Sequence, residues 1–121
     1  LPETLDAILI THEHSDHILG AGVLSRRYHI PVYANEATWQ TAAMRRMVGE
    51  VPPGLRRVFD SEAEFLIGDI GVQPIPISHD AAEPVAFRLF AGSRSVSVAT
   101  DMGRVPRPVL RALSGSNLVL L

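Results

Sequence analysis

The stretch Leu5-Asp6-Ala7-Ile8-Leu9-Ile10-Thr11-His12-Glu13-His14-Ser15-Asp16-His17 runs from an apolar segment straight into three imidazoles and the Asp16 carboxylate, all inside six positions. An apolar run followed by a polar turn reads as a buried strand over residues 5–11. In extended backbone, residues two apart point the same way, so His12 and His14 converge on one metal ion. The turn that follows swings Asp16 and His17 toward a neighbouring ion. The sequence has no cysteine, which excludes thiolate ligands, disulfides and a cysteine nucleophile. Imidazole and carboxylate together suit Zn, Mn or Fe. The plainer alternative is a polar turn whose histidines cap the next helix, but the spacing H-x-H-x-D-H speaks against it.

Working outward, residues 17–29 place Ile18, Ala21, Leu24 and Tyr28 at helical spacing, and Pro31 ends that helix. Residues 30–34 read as a second strand. Asn35 is a good N-cap for a helix through Val48, because its side-chain oxygen can accept from a first-turn amide. Gly49 and the Pro52-Pro53-Gly54 turn stop it. From Arg57 onward the pattern changes to short strands at residues 58–59, 65–67, 70–77, 84–91 and 94–99, with a hairpin at Gly92-Ser93. A final helix over residues 108–113 has Pro at its start, and residues 117–121 read as a closing strand. The sum is a mixed α/β chain.

The 121 residues include eleven Arg and no Lys against 13 acidic residues, for a net charge of −2. That balance excludes a basic nucleic-acid tail and an acidic disordered tail. With 46% hydrophobic residues and no repeat or linker, residues 1–121 read as one domain or part of one. Both ends look like sheet interior rather than loose polar termini, which predicts a partial domain. The apolar runs are far shorter than the ~20 residues that span a bilayer, and no export leader opens the chain. No membrane association is expected, and the expected compartment is the cytoplasm. The pairs Arg26-Arg27, Arg45-Arg46 and Arg56-Arg57 could contact phosphates, but they read first as solvated faces. No sequence signal fixes an oligomeric state.

The motif H-x-H-x-D-H behind an apolar strand resembles the metallo-β-lactamase fold superfamily. Two later elements follow in the superfamily's order: Ser78-His79-Asp80 after the strand at 70–77, and Ala99-Thr100-Asp101-Met102-Gly103 after the strand at 94–98. The wider wording, from Ile10 to His17 and then Ile77-Ser78-His79-Asp80-Ala81-Ala82-Glu83-Pro84-Val85-Ala86-Phe87, is similar to the YycJ/WalJ-like branch. Members of that branch are regarded as bacterial metal-dependent nucleases with 5′-to-3′ DNA exonuclease activity. The lactamase and glyoxalase branches carry a Gly-His-Thr type third motif, and the tRNA 3′-processing branch reads H-x-H-G-D-H. Here Ser78-His79-Asp80 and Ser15 stand at those positions, which sets those branches behind.

The resemblance implies an α/β (α+β) fold, a metallo-β-lactamase-like αββα sandwich incomplete at both ends. Strands before the first motif and a downstream histidine for the second metal are missing from the pattern. By the same resemblance, His12, His14 and His79 hold metal one, Asp16 and His17 hold metal two, and Asp101 lies between them. His29 is expected at the surface or near a helix C-terminus, outside the ligand set. The implied activity is hydrolysis by a metal-bound hydroxide on two divalent ions, Zn or Mn with Fe as a third option, attacking DNA or another phosphodiester. Asp16 is the expected catalytic residue that orients the water, and Glu13 and Asp80 are candidates to fix imidazole tautomers. Composition carries no basic footprint, so nucleic acid as substrate rests on the resemblance. Hydrolysis of a small ester, thioester, lactone or cyclic phosphodiester is the competing reading. A non-catalytic metal-binding domain is the third.

Overall fold

The computed structural model describes residues 5–11, 20–47, 51–76, 85–98 and 118–120. The chain divides into two compact units, Leu1–Phe59 and Asp60–Leu121.

In the first unit, strands β1 (Ile8–Leu9), β2 (Val32–Asn35) and β3 (Arg56–Phe59) form a parallel sheet in the order β1-β2-β3. The strand expected over residues 5–11 is shorter than its apolar run. Leu5 is 49% exposed and Asp6 is also exposed, so burial begins only at Ala7 and becomes complete at Ile10. Ile8 N–H donates to the Pro31 carbonyl and Ile10 N–H to the Tyr33 carbonyl, both at 2.9 Å. Helix α1 (Ala21–Tyr28) crosses from β1 to β2. Its buried side consists of Ala21, Gly22 and Ser25; of the expected apolar positions Ala21 is buried, Leu24 and Tyr28 are half-buried, and Ile18 lies outside the described residues. Small side chains permit close packing, so they take the inward positions. The helix ends at His29, whose φ of 57° is left-handed and whose N–H donates to the Ser25 carbonyl. This αL ending comes two residues before Pro31.

The single helix expected after Asn35 is two helices, α2 (Glu36–Trp39) and α3 (Ala42–Met47). Asn35 Oδ1 accepts from Thr38 N–H at 2.9 Å, as an N-cap should. The break occurs because Thr41 makes its own local bonds. Its hydroxyl donates to the Thr38 carbonyl at 2.8 Å and accepts from Met44 N–H at 3.3 Å, while its carbonyl accepts from Arg45 N–H. Thr41 thereby caps α3 and closes α2. A short 3₁₀ turn, Pro53–Leu55, with Pro at its first position, leads into β3. The core holds Ile10, Ala21, Val32, Ala34, Met44 and Val51, with Ile8, Trp39 and Leu55 packed on its margin.

The second unit contains a five-stranded sheet in the order β4 (Phe65–Ile67), β5 (Ile70–Pro76), β6 (Val85–Ala91), β7 (Arg94–Val98) and β8 (Leu118–Leu120). The pairs are antiparallel except β7–β8, which is parallel. The Gly92-Ser93 hairpin forms as expected: Ala91 pairs with Arg94, and Gly92 has a φ of 59° that suits glycine. β4 covers only Ile70 to Val72 of β5. Pro74 and Pro76 therefore lie on the stretch paired with β6 alone among the described strands, where a missing N–H is tolerated. Val72, Ile75, Val85, Ala86 and Phe87 are buried. Gly71 pairs with Phe90, whose ring occupies the space a Cβ would need. The helix expected at 108–113 lies outside the described residues.

Candidate active site

The described strands fix the points from which the motif segments depart. β1 delivers the first motif: the carbonyls of Pro31 and Tyr33 hold the backbone at Ile8 and Ile10, and Thr11 is the last described residue before His12. In the second unit, Pro76 pairs with Val85 and Val98 pairs with Phe87. The chain therefore leaves β5 and β7 at the same end of the sheet, two positions apart along β6. His79 follows Pro76 by three residues in the sequence, and Asp101 follows Val98 by three.

The side chains expected as ligands, His12, His14, Asp16, His17, His79 and Asp101, lie outside the described residues, as do Glu13 and Asp80. Among the described residues no three His, Asp or Glu side chains gather closely enough to hold a metal ion. His29 is exposed at the end of α1, where the sequence placed it.

The Arg56-Arg57 pair does more than decorate a solvated face. Arg56 Nε donates to the Val51 carbonyl at 2.8 Å, and Arg57 Nη1 donates to the Gly54 carbonyl, so both side chains hold the turn that precedes β3. Arg26 and Arg27 are exposed, with the Arg27 guanidinium 5.6 Å from the Tyr28 ring centroid. A cleft of about 300 Å³ opens between α2, α3 and β3, lined by Glu36, Trp39, Gln40, Arg45, Arg56 and Val58. Sequence reading missed this group. The available signal was the only tryptophan of the chain, six residues before an arginine pair. Trp39 Nε1 donates to the Arg57 carbonyl at 2.9 Å, and Gln40 Nε2 donates to Glu36 Oε1 at 2.6 Å. No helix among the described residues is long and apolar enough to cross a membrane.

A strand that delivers an H-x-H-x-D-H segment and a mixed sheet that releases two further motif segments at one end define a recognisable class. Against known families, residues 1–121 match the Beta-lactamase superfamily domain, and the chain belongs to that family. Its fold is the metallo-β-lactamase fold. It resembles Zn(2+)-bound PqqB from Methylobacterium extorquens with a TM-score of 0.72 at 19% identity, over 93% of this chain and 44% of that one. It also resembles the metallo-beta-lactamase fold protein YhfI from Bacillus subtilis, with a TM-score of 0.63 at 21% identity, over 80% of this chain and 41% of that one. Among curated relatives it is 42% identical over 113 residues to Exodeoxyribonuclease YycJ of Bacillus anthracis, covering 93% of this chain and 42% of the relative. It is 44% identical over 104 residues to Exodeoxyribonuclease WalJ of Streptococcus pneumoniae serotype 2, covering 86% of this chain and 39% of the relative. The chain thus spans about two-fifths of the length of these two relatives.

Proposed function

We propose that the protein is a metal-dependent hydrolase whose substrate is the phosphodiester of DNA, degraded from the 5′ end, and that it works in the cytoplasm. The observation that carries this reading is the 42% and 44% identity to two exodeoxyribonucleases across nearly the whole chain. The donor set supports it: four imidazoles and two carboxylates without a thiolate suit one or two Zn or Mn ions. His12, His14 and His79 would hold one ion, Asp16 and His17 the other, and Asp101 both. When bound, such ions lower the pKa of water toward neutrality and stabilise the attacking and leaving oxygens of a phosphodiester. Asp16 would orient the attacking water with its carboxylate. Glu13 and Asp80 are the candidates to accept the outward ring N–H of neighbouring imidazoles and so fix the tautomer that leaves the other nitrogen free to ligate.

The test is Mn- or Zn-dependent release of a 5′ end label from phosphorylated DNA by the complete protein, beside its Asp16→Ala and His79→Ala variants. Release that stops with chelator and falls about 100-fold or more in folded Asp16→Ala is the expected result. Intact DNA with metal bound would move the substrate to a small ester, thioester, lactone or cyclic phosphodiester. Intact DNA without bound metal would leave a non-catalytic domain.

A further inference from the structure

We propose that the cleft lined by Trp39, Arg45, Arg56 and Val58 binds one nucleoside 5′-monophosphate unit of a single-stranded nucleic acid, with the phosphate on the guanidinium groups and the base against the indole and Val58. The inference rests on the nucleic-acid reading for the choice of ligand and on the first unit alone for its geometry.

The lining supplies what such a unit requires. Sequence-tolerant binding of single strands combines cationic groups that track phosphates with aromatic faces on which bases stack. Arg45 and Arg56 are exposed and border the same opening as Trp39. Guanidinium is the side chain best matched to phosphate oxygens, because its planar fork donates in pairs. The site is also organised in advance. The Trp39 indole is anchored by its Nε1 bond to the Arg57 carbonyl, and Arg56 is held through Nε by the Val51 carbonyl. Fixing these side chains before the ligand arrives lowers the entropy lost on binding. Val58 is 58% exposed although it sits mid-strand in β3, an apolar surface beside the ring that a base would cover. Glu36, tied to the Gln40 amide, offers an acceptor to a base amino group or a sugar hydroxyl. A cleft of about 300 Å³ falls at the small end of ligand sites, which suits one nucleotide rather than a duplex.

Tryptophan emission of the complete protein, titrated in EDTA so that nothing is cleaved and taken as the difference from its Trp39→Phe variant, reads the site. The probes are dAMP, inorganic phosphate alone and a short 5′-phosphorylated oligodeoxyadenylate. Quenching is expected with dAMP and more tightly with the oligonucleotide, and inorganic phosphate should bind at least about tenfold more weakly than dAMP, since it lacks the stacked base. Arg45→Glu, at an exposed position, should weaken dAMP binding about tenfold or more with an unchanged circular dichroism spectrum. Trp39→Phe, which keeps an aromatic ring on the core margin, should weaken oligonucleotide binding measured by anisotropy. Emission unmoved by dAMP, equal binding of dAMP and inorganic phosphate, unchanged affinity in Arg45→Glu, or binding of dAMP without the oligonucleotide each overturns the assignment. End-label release, measured in parallel, separates the two readings. Label retained while both nucleotides quench removes the exonuclease and leaves the cleft standing, and label released with no quenching does the reverse.

Discussion

Asn35 ends β2 and begins α2 within one residue, and its side chain makes both possible. Its backbone is extended, with ψ at 167°, while Oδ1 takes the Thr38 N–H. Asn35 is 2% exposed, so Asn35→Ala leaves that amide without its acceptor in a dry place. A loss of about 1–2 kcal/mol in unfolding free energy is expected from urea titration, most of it recovered in Asn35→Ser. A loss of similar size in Asn35→Ser would remove the capping explanation. This position was legible because an N-cap signal is local: a short polar acceptor immediately before an amphipathic run. The roles of Arg56 and Arg57 were not, because bonds to the carbonyls of Val51 and Gly54 depend on the path of the turn. Trp39 was opaque for a related reason. It meets Arg57 and Val58 only because α2 follows a strand that pairs in parallel with β3.

At the scale of elements, the described strands of the second unit follow their sequence pattern closely, and the helix after Asn35 does not. Periodicity sees the apolar positions run on through residue 48, but it has no measure of a threonine that bonds its own neighbours, and Thr41 divides the helix by doing so. Helix α1 buries the small side chains Ala21, Gly22 and Ser25, while Leu24 is half-buried. Strand register gives a sharper test. The Phe90 ring covers Gly71 on the adjacent strand, so Gly71→Ala should destabilise by about 1–3 kcal/mol, as overpacking does. In a Phe90→Ala background that cost should largely vanish, which a double-mutant cycle measures. Equal costs in both backgrounds would show that the ring is not what excludes a side chain there.

At the scale of the whole molecule, the family was the most legible property, and the reason is chemical. Metal coordination demands particular residue types at fixed spacing, so H-x-H-x-D-H with His79 and Asp101 in order identifies a superfamily from a few letters. A cleft needs only that side chains from separate elements meet, which no spacing records. The shortest ladder among the described residues joins these two kinds of information. β1 pairs with β2 over two residues, and among the described strands β2 is its one neighbour. Opening of so brief a ladder would free the backbone immediately before His12. On the proposed ligand assignment, the fraction of molecules with β1 docked would multiply the apparent affinity of His12 and His14 for metal. Linkage runs equally in the other direction. Added Zn should slow amide exchange of the peptide containing Ile8 and Ile10, while exchange around Leu89 in β6 stays unchanged. Identical exchange with and without Zn would uncouple them. On that assignment two rungs of backbone would act as a gain control on metal occupancy, adjustable by Ile8→Ala without altering a single proposed ligand.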